Sequence, residues 1–264
     1  MRIKQYQVDA FADSPFRGNP AAVCFFEKWP QDRFLQAIAA ENNLSETAFL
    51  VPAEGGYALR WFTPVAEVDL CGHATIAAAY VLFWLRGYSG ERITFFTRSG
   101  ELSVRQIEGL LAMDFPADPP RPCDQPEALI RGLGQPPSEV LAGQDYVAVY
   151  DSESTVRSLF PNPAVLSELD LRGVVATAPG EDCDFVSRFF APKLGVFEDP
   201  VTGSAHCELT PYWSSRQGKS ILEARQVSPR GGWMRCRLNG DRVDLSGSAV
   251  LFLEGEIVLD DGGC

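Results

Sequence analysis

Two glycine turns recur in this sequence at a spacing of half its length. Leu70-Cys71-Gly72-His73-Ala74-Thr75 lies in the first half and Asp199-Pro200-Val201-Thr202-Gly203-Ser204-Ala205-His206 in the second, in a chain of 264 residues. Each turn carries one of the only two histidines. A strand ending in proline precedes each, Arg60-Trp61-Phe62-Thr63-Pro64 and Arg188-Phe189-Phe190-Ala191-Pro192. Strand, proline, loop, polar glycine turn and apolar helix therefore occur twice in one order. Self-similarity at so long a period predicts an internal duplication: two like domains, with a site where the two turns face each other.

The hydrophobic periodicity fills in the elements. Alternation predicts strands at Ile3–Ala10, Ala21–Phe26, Thr47–Val51 and Tyr57–Thr63, with a helix over Asp32–Asn43. A helix from Gly72 to Leu85 follows, then a meander of Arg92–Thr97, Glu101–Gln106 and Leu110–Phe115 with turns at Ser99-Gly100 and Glu108-Gly109. The proline-rich stretch Pro116–Pro137 reads as a linker. Beyond it, strands are expected at Tyr146–Tyr150, Gly173–Thr177 and Phe185–Ala191, then a helix from Gly203 to Gln217. Strands at Glu223–Ser228, Met234–Leu238, Arg242–Leu245 and Ala249–Leu253 close the chain. Neither Glu153–Asp170 nor the tail Asp260–Cys264 carries a readable pattern.

The Gly72–Leu85 segment sets the architecture. It has no charged residue from Ala74 to Leu85, so a helix there must be buried on every side. A short helix wrapped by a curved, mostly antiparallel sheet meets that demand. The expected class is α+β, with two pseudo-symmetric helix-in-barrel domains spanning residues 1–118 and 119–264.

Composition removes several function classes. The net charge of −12 leaves no basic face for nucleic acid. The Gly72–Leu85 run is too short to span a bilayer, and no secretory pattern follows Met1-Arg2-Ile3-Lys4. Seven scattered cysteines without a C-x-x-C pair point to reduced thiols in a cytoplasm.

Glu46 is the sharpest candidate for chemistry. Alternation puts it on the same face as Leu44, Ala48 and Leu50, where desolvation should raise its pKa toward neutrality, as a general acid/base requires. Cys71 could be a thiolate activated by a helix N-terminus, or a small core residue. Asp199 could accept hydrogen bonds from a substrate amine or hydroxyl, while Ser204 and the amides after Gly203 hold an anion; helix capping is the alternative use of the same residues. A mononuclear metal site from His73, His206, Asp199 and Glu46 lacks any recognised spacing, and Ser204 lacks a G-x-S-x-G elbow. His206, three residues into its helix, reads as structural.

Four segments together resemble the phenazine-biosynthesis PhzF-like family: Phe16-Arg17-Gly18-Asn19-Pro20-Ala21-Ala22-Val23, Asn43-Leu44-Ser45-Glu46-Thr47-Ala48-Phe49, Phe62-Thr63-Pro64 through Glu67 to Thr75, and Glu198-Asp199-Pro200-Val201-Thr202-Gly203-Ser204-Ala205. The resemblance implies a fold similar to diaminopimelate epimerase, with the site between the domains and a last strand that can return to the first. It implies a cofactor-independent and metal-independent isomerase acting on a small anionic, carboxylated substrate, as a homodimer. Catalytic roles would fall to Glu46, His73 and Asp199, and substrate binding to Asn19, Cys71, Gly72, Thr202, Gly203 and Ser204. Cys71 matches the first thiol of diaminopimelate epimerase, but Thr202 occupies the position of the second, which argues against a two-thiol racemase. An epimerase using Glu46 with Cys71, and a non-catalytic small-anion binder, are the alternatives.

Overall fold

The computed structural model describes residues 1–259, so the tail segment Asp260–Cys264 lies outside the described residues. By its own contacts the chain divides into two compact units. One is Met1–Asp114 together with the chain from Ser246 onward; the other is Phe115–Leu245.

The first unit opens with β1 (Arg2–Ala10), β2 (Asn19–Phe25), α1 (Asp32–Asn42), β3 (Glu46–Ala53), β4 (Gly56–Phe62) and β5 (Glu67–Val68). It continues with α2 (Gly72–Tyr80), β6 (Arg92–Thr97), β7 (Gly100–Ile107) and β8 (Leu110–Pro116). β1 and β2 are antiparallel, β2 and β3 parallel, and β3 and β4 antiparallel; β6 then lies parallel to β4 and antiparallel to β7.

The second unit contains β9 (Arg121–Pro122), α3 (Glu127–Leu133), β10 (Glu139–Ala142), β11 (Tyr146–Val149), α4 (Glu153–Ser158), α5 (Pro163–Leu166), β12 (Val174–Pro179) and β13 (Phe185–Ala191). β14 (Val196–Asp199), α6 (Gly203–Gln217), β15 (Ile221–Gln226), β16 (Gly232–Asn239) and β17 (Arg242–Gly247) follow. Its pairings copy those of the first: β10 antiparallel to β11, β11 parallel to β12, β12 antiparallel to β13, and β15 parallel to β13 and antiparallel to β16. The duplication read from two glycine turns is thus written into the ladders. β18 (Ala249–Val258) then pairs along the whole of β1.

The α2 helix is the core of the first unit. His73 to Ala79 are all buried, with Ala74, Thr75, Ile76, Ala77, Ala78 and Ala79 fully so, and β1, β2, β3, β7 and β18 pack around it. The alanine run keeps the helix thin enough for strands to close on it from several directions. The expected single helix to Leu85 needs correction. Val81–Leu85 widens into a π-helical turn, and Trp84 emerges half-exposed at its end, stacked on Tyr80. Burial on every side therefore holds to Ala79; Val81 and Leu82 stay buried, but Tyr80 and Phe83 are partly exposed and Trp84 more so.

Other expectations also change. Pro116–Pro137 is no free linker: it contributes β9, which pairs with β10, and the whole of α3. Prolines there supply edge and helix-start positions. The unreadable Glu153–Asp170 stretch folds as α4 and α5, short helices capped by the Ser152 and Asn162 side chains. At Gly18, φ is +66°, and a Cβ would meet the Ala10 carbonyl oxygen at 2.2 Å, so only glycine fits the turn that delivers Asn19 to β2.

Overpacking should expose the role of α2. Ala78→Leu is expected to lose about 1–3 kcal/mol or more by urea denaturation, since the added atoms meet strands on every side. Trp84→Ala on the emerging turn is expected to cost less. An equal cost at both positions would show that α2 is not the tightly enclosed element.

Candidate active site

Local structure explains how the first cluster forms. Asn43 ends α1 in the left-handed conformation, at φ 49°, which asparagine tolerates, and the chain turns into β3 with Glu46 as its first residue. In the parallel register Glu46 sits opposite Ala21, two residues after the fully buried Asn19. Cys71 and His73 flank Gly72 at the start of α2, and Thr75 ties the Cys71 carbonyl with both its amide and its hydroxyl, at 3.2 and 2.6 Å.

These elements bring Glu46, Cys71 and His73 together. His73 Nε2 lies 3.1 Å from Glu46 Oε2, and His73 Nδ1 lies 3.6 Å from Cys71 Sγ. The Glu46 contact is a charge pairing rather than an aligned hydrogen bond, and these two atoms have no aligned protein partner.

Electrostatics here overturn the expected rise in the Glu46 pKa. Burial does push it up, but the His73 charge, with polar contacts from His73 and Cys71, outweighs it and holds the carboxyl below its ordinary value. His73 shows the converse: burial opposes its charge, yet the Cys71 sulfur and Glu46 carboxylate hold it well above the usual imidazole range. Both shifts point the same way, toward a carboxylate beside an imidazolium. Cys71 is no activated thiolate, because burial, reinforced by the Glu46 charge, pushes its thiol up to about 11. The helix N-terminus does not offset that desolvation.

In the second unit, Asp199 ends β14 and its Oδ2 accepts a 2.5 Å hydrogen bond from the Thr202 hydroxyl. Gln226, at the end of β15 and nearly fully buried, joins the turn. Its Oε1 accepts from the Thr202 amide at 2.8 Å, while its Nε2 donates to the Asp199 carbonyl at 2.6 Å and to Thr202 Oγ1 at 3.1 Å. Ser204 Oγ accepts from Arg172 at 2.9 Å, and Arg172 is gripped by fully buried Asp145 through two contacts. No side-chain oxygen caps α2 or α6, so Thr202 spends its hydroxyl on Asp199 rather than on the first-turn amides after Gly203.

His206 differs from His73 in its partners and its charge. It is fully buried, its Nδ1 lies 2.7 Å from the Thr202 carbonyl, and burial lowers its pKa to about 4. A carbonyl only accepts, so Nδ1 carries the proton, and the neutral ring fastens the turn. Among the described residues, the donors that converge at metal-binding separation are Glu46, Cys71 and His73.

With this geometry in hand, comparison with known proteins is decisive. The phenazine biosynthesis-like protein family matches residues 8–255. The chain belongs to the phenazine biosynthesis-like family. It is 54% identical to an uncharacterized isomerase of Pseudomonas aeruginosa, across 98% of this chain and 100% of that one. A crystal structure of a PhzF-family protein from Enterococcus faecalis superposes with a TM-score of 0.96 at 47% identity, covering 98% of this chain and 100% of that one. A probable proline racemase from Agrobacterium radiobacter shares the fold at TM-score 0.66 and 11% identity, covering 99% of this chain and 94% of that one. The protein is an isomerase of the phenazine biosynthesis-like family, with the epimerase-like α+β fold that its sequence resemblance implied.

Three residues around these phenazine biosynthesis-like motifs escaped the sequence reading: Gln226, Arg172 and Asp145. Gln226 did carry a signal, since alternation along β15 puts it on the buried face with Leu222 and Ala224. Arg172 precedes β12 in an unpatterned loop and gave none.

Two measurements follow. Because there are only two histidines, imidazole NMR at pH 7 should show His73 as a cation and His206 as a neutral ring. Glu46→Gln should move the His73 pKa down. The pair's stabilisation is full between the ordinary pKa values of 4.5 and 6.5. It fades as pH falls through the depressed Glu46 value, and again as pH rises through the raised His73 value. Two neutral rings at pH 7 would refute the ion pair. Separately, Gln226→Leu removes the partner of the Thr202 amide and one hydrogen bond to the Asp199 carbonyl, and should cost about 1–3 kcal/mol in chemical denaturation.

Proposed function

We propose that this isomerase moves a proton between carbons of a small carboxylated substrate, without a cofactor, using Glu46 as general acid/base. The observation that carries the reading is the buried Glu46–His73 pair at 3.1 Å. Its charge state supplies a base and an electrophile side by side. Ionised Glu46 accepts a proton from one substrate carbon and returns it to another, so substrate and product are isomers and no electrons are transferred. Imidazolium His73 stabilises the negative charge that develops in between.

Within this reading, Asp199 orients a substrate amine or hydroxyl, held for that purpose by Thr202 and Gln226. Ser204 and the amides following Gly203 are assigned to the carboxylate, Thr202 to holding Asp199 in place, and Asn19 and Gly72 to substrate contacts around the first cluster. An epimerase with Cys71 as second base is disfavoured, because a thiol held near 11 is not the thiolate that such a base must be. Homodimer formation in the cytoplasm belongs to the same reading, and sedimentation would test the assembly.

The deciding experiment is deuterium wash-in from heavy water, followed by NMR, over a panel of small cyclic carboxylates and amino acids. Wild type should exchange one carbon-bound proton and Glu46→Gln should lose that exchange by roughly 100-fold or more, the scale of a positioned acid/base group. The rate should hold level across neutral pH. Exchange undiminished in Glu46→Gln would reassign the base, and tight binding with no exchange in wild type would favour the non-catalytic binder.

A further inference from the structure

The first unit's cluster has a chemistry that proton transfer does not exhaust. One donor atom from each of Glu46, Cys71 and His73 lies within 4.8 Å of the others. A carboxylate oxygen, a thiol sulfur and an imidazole nitrogen are the donor types of zinc sites that keep three protein ligands and an open fourth position. We propose that this triad binds a divalent ion of the zinc class, and that the bound ion shuts the site by occupying the Glu46 carboxylate.

The distances suit such an ion. Two ligands of one tetrahedral zinc, each at about 2.0–2.3 Å from the metal, lie roughly 3.3–3.8 Å apart. His73 Nε2 lies 3.1 Å from Glu46 Oε2, and one donor atom from each of the three residues lies within 4.8 Å of the others, so a shift of at most about 1 Å brings them to the zinc range. An imidazole ligates through one nitrogen, and Nε2 is the one to use, since neither it nor Glu46 Oε2 has an aligned partner. Cys71 and His73 come from one helix start, with the Cys71 backbone tied by Thr75, so two ligands are pre-positioned by a single element.

Charge and chemical type favour the same ion class. A thiolate and a carboxylate together carry two negative charges, matching a divalent cation in a buried setting. On binding, the Cys71 thiol proton and the His73 imidazolium proton leave to solvent, and nothing is oxidised or reduced. Sulfur and nitrogen donors select zinc or cadmium over magnesium or calcium, which want oxygen. The binding stands on this geometry alone; the shutting of the site rests on Glu46 being the base.

Cadmium is the probe, because thiolate coordination gives it an ultraviolet charge-transfer band. The exposed thiol of Cys123 is first removed as Cys123→Ser. Titration of that protein should then give the band, saturating at one equivalent. Zinc should displace it, a chelator should reverse it and magnesium should do nothing. Adding Cys71→Ser should abolish it. Glu46→Gln and His73→Asn should each weaken binding by more than the roughly 10–100-fold expected for losing an outer partner of a metal site.

A band that survives Cys71→Ser, or an affinity unchanged by both other substitutions, would overturn the site. The shifted His206 imidazole signal reports whether each variant is folded. If Cys71→Ser fails that check, cadmium-113 NMR of the Cys123→Ser protein decides: a sulfur-and-nitrogen shift supports the site, and an all-oxygen shift overturns it. A protein that binds cadmium here yet exchanges no carbon-bound proton in the metal-free state would sink the Glu46 proton-transfer reading and leave this inference intact.

Discussion

Enclosure of an uncharged helix is the constraint from which the first unit follows. A run of alanines and an isoleucine has no side that prefers water, and an isolated helix of nine residues has little stability of its own. Strands must therefore close around it, and β18 is drawn from the far end of the chain to complete that closure beside β1. Once the helix is enclosed, its N-terminus and the residues at its mouth are fixed by packing. That is how Cys71 and His73 come to face the start of β3, although Glu46 and Cys71 lie 25 positions apart in the chain.

Within that enclosure, the Glu46–His73 pair shows two large effects in opposition. Desolvation alone would leave a neutral acid and a neutral imidazole. Proximity of opposite charges reverses both, because attraction at close range in a medium of low polarity exceeds the cost of burial. The second histidine shows what happens without such a partner. His206 meets a carbonyl and a serine hydroxyl, neither of which carries charge, and burial keeps it neutral. Duplicated glycine turns have thus diverged into an ionised site and a structural brace.

Much of the architecture was legible. The repeat, the enclosed helix and strands such as Arg92–Thr97 and Phe185–Ala191 are fixed by local periodicity, and the ladders repeat between units as the turns repeat in sequence. The elements that were missed are short, such as β9, β14 and α5, or rich in proline, and too brief to establish a period. In the candidate site, Glu46 and Gln226 both announce themselves as polar residues on apolar faces. Arg172 and Asp145 do not, because their partnership spans a loop and becomes visible only when the fold closes.

The sequence by itself determined which faces must be buried, where the chain must turn and which residues belong to the family's motifs. These are properties of neighbouring residues and of pattern, carried by every extended copy of the chain. Tertiary structure alone decided the charge states. Whether Glu46 is raised or depressed, whether Cys71 is thiol or thiolate, and which histidine is protonated depend on distances of 3–4 Å between groups remote in sequence. Electrostatic interaction and desolvation are functions of that distance and of burial, and neither exists until the chain has folded.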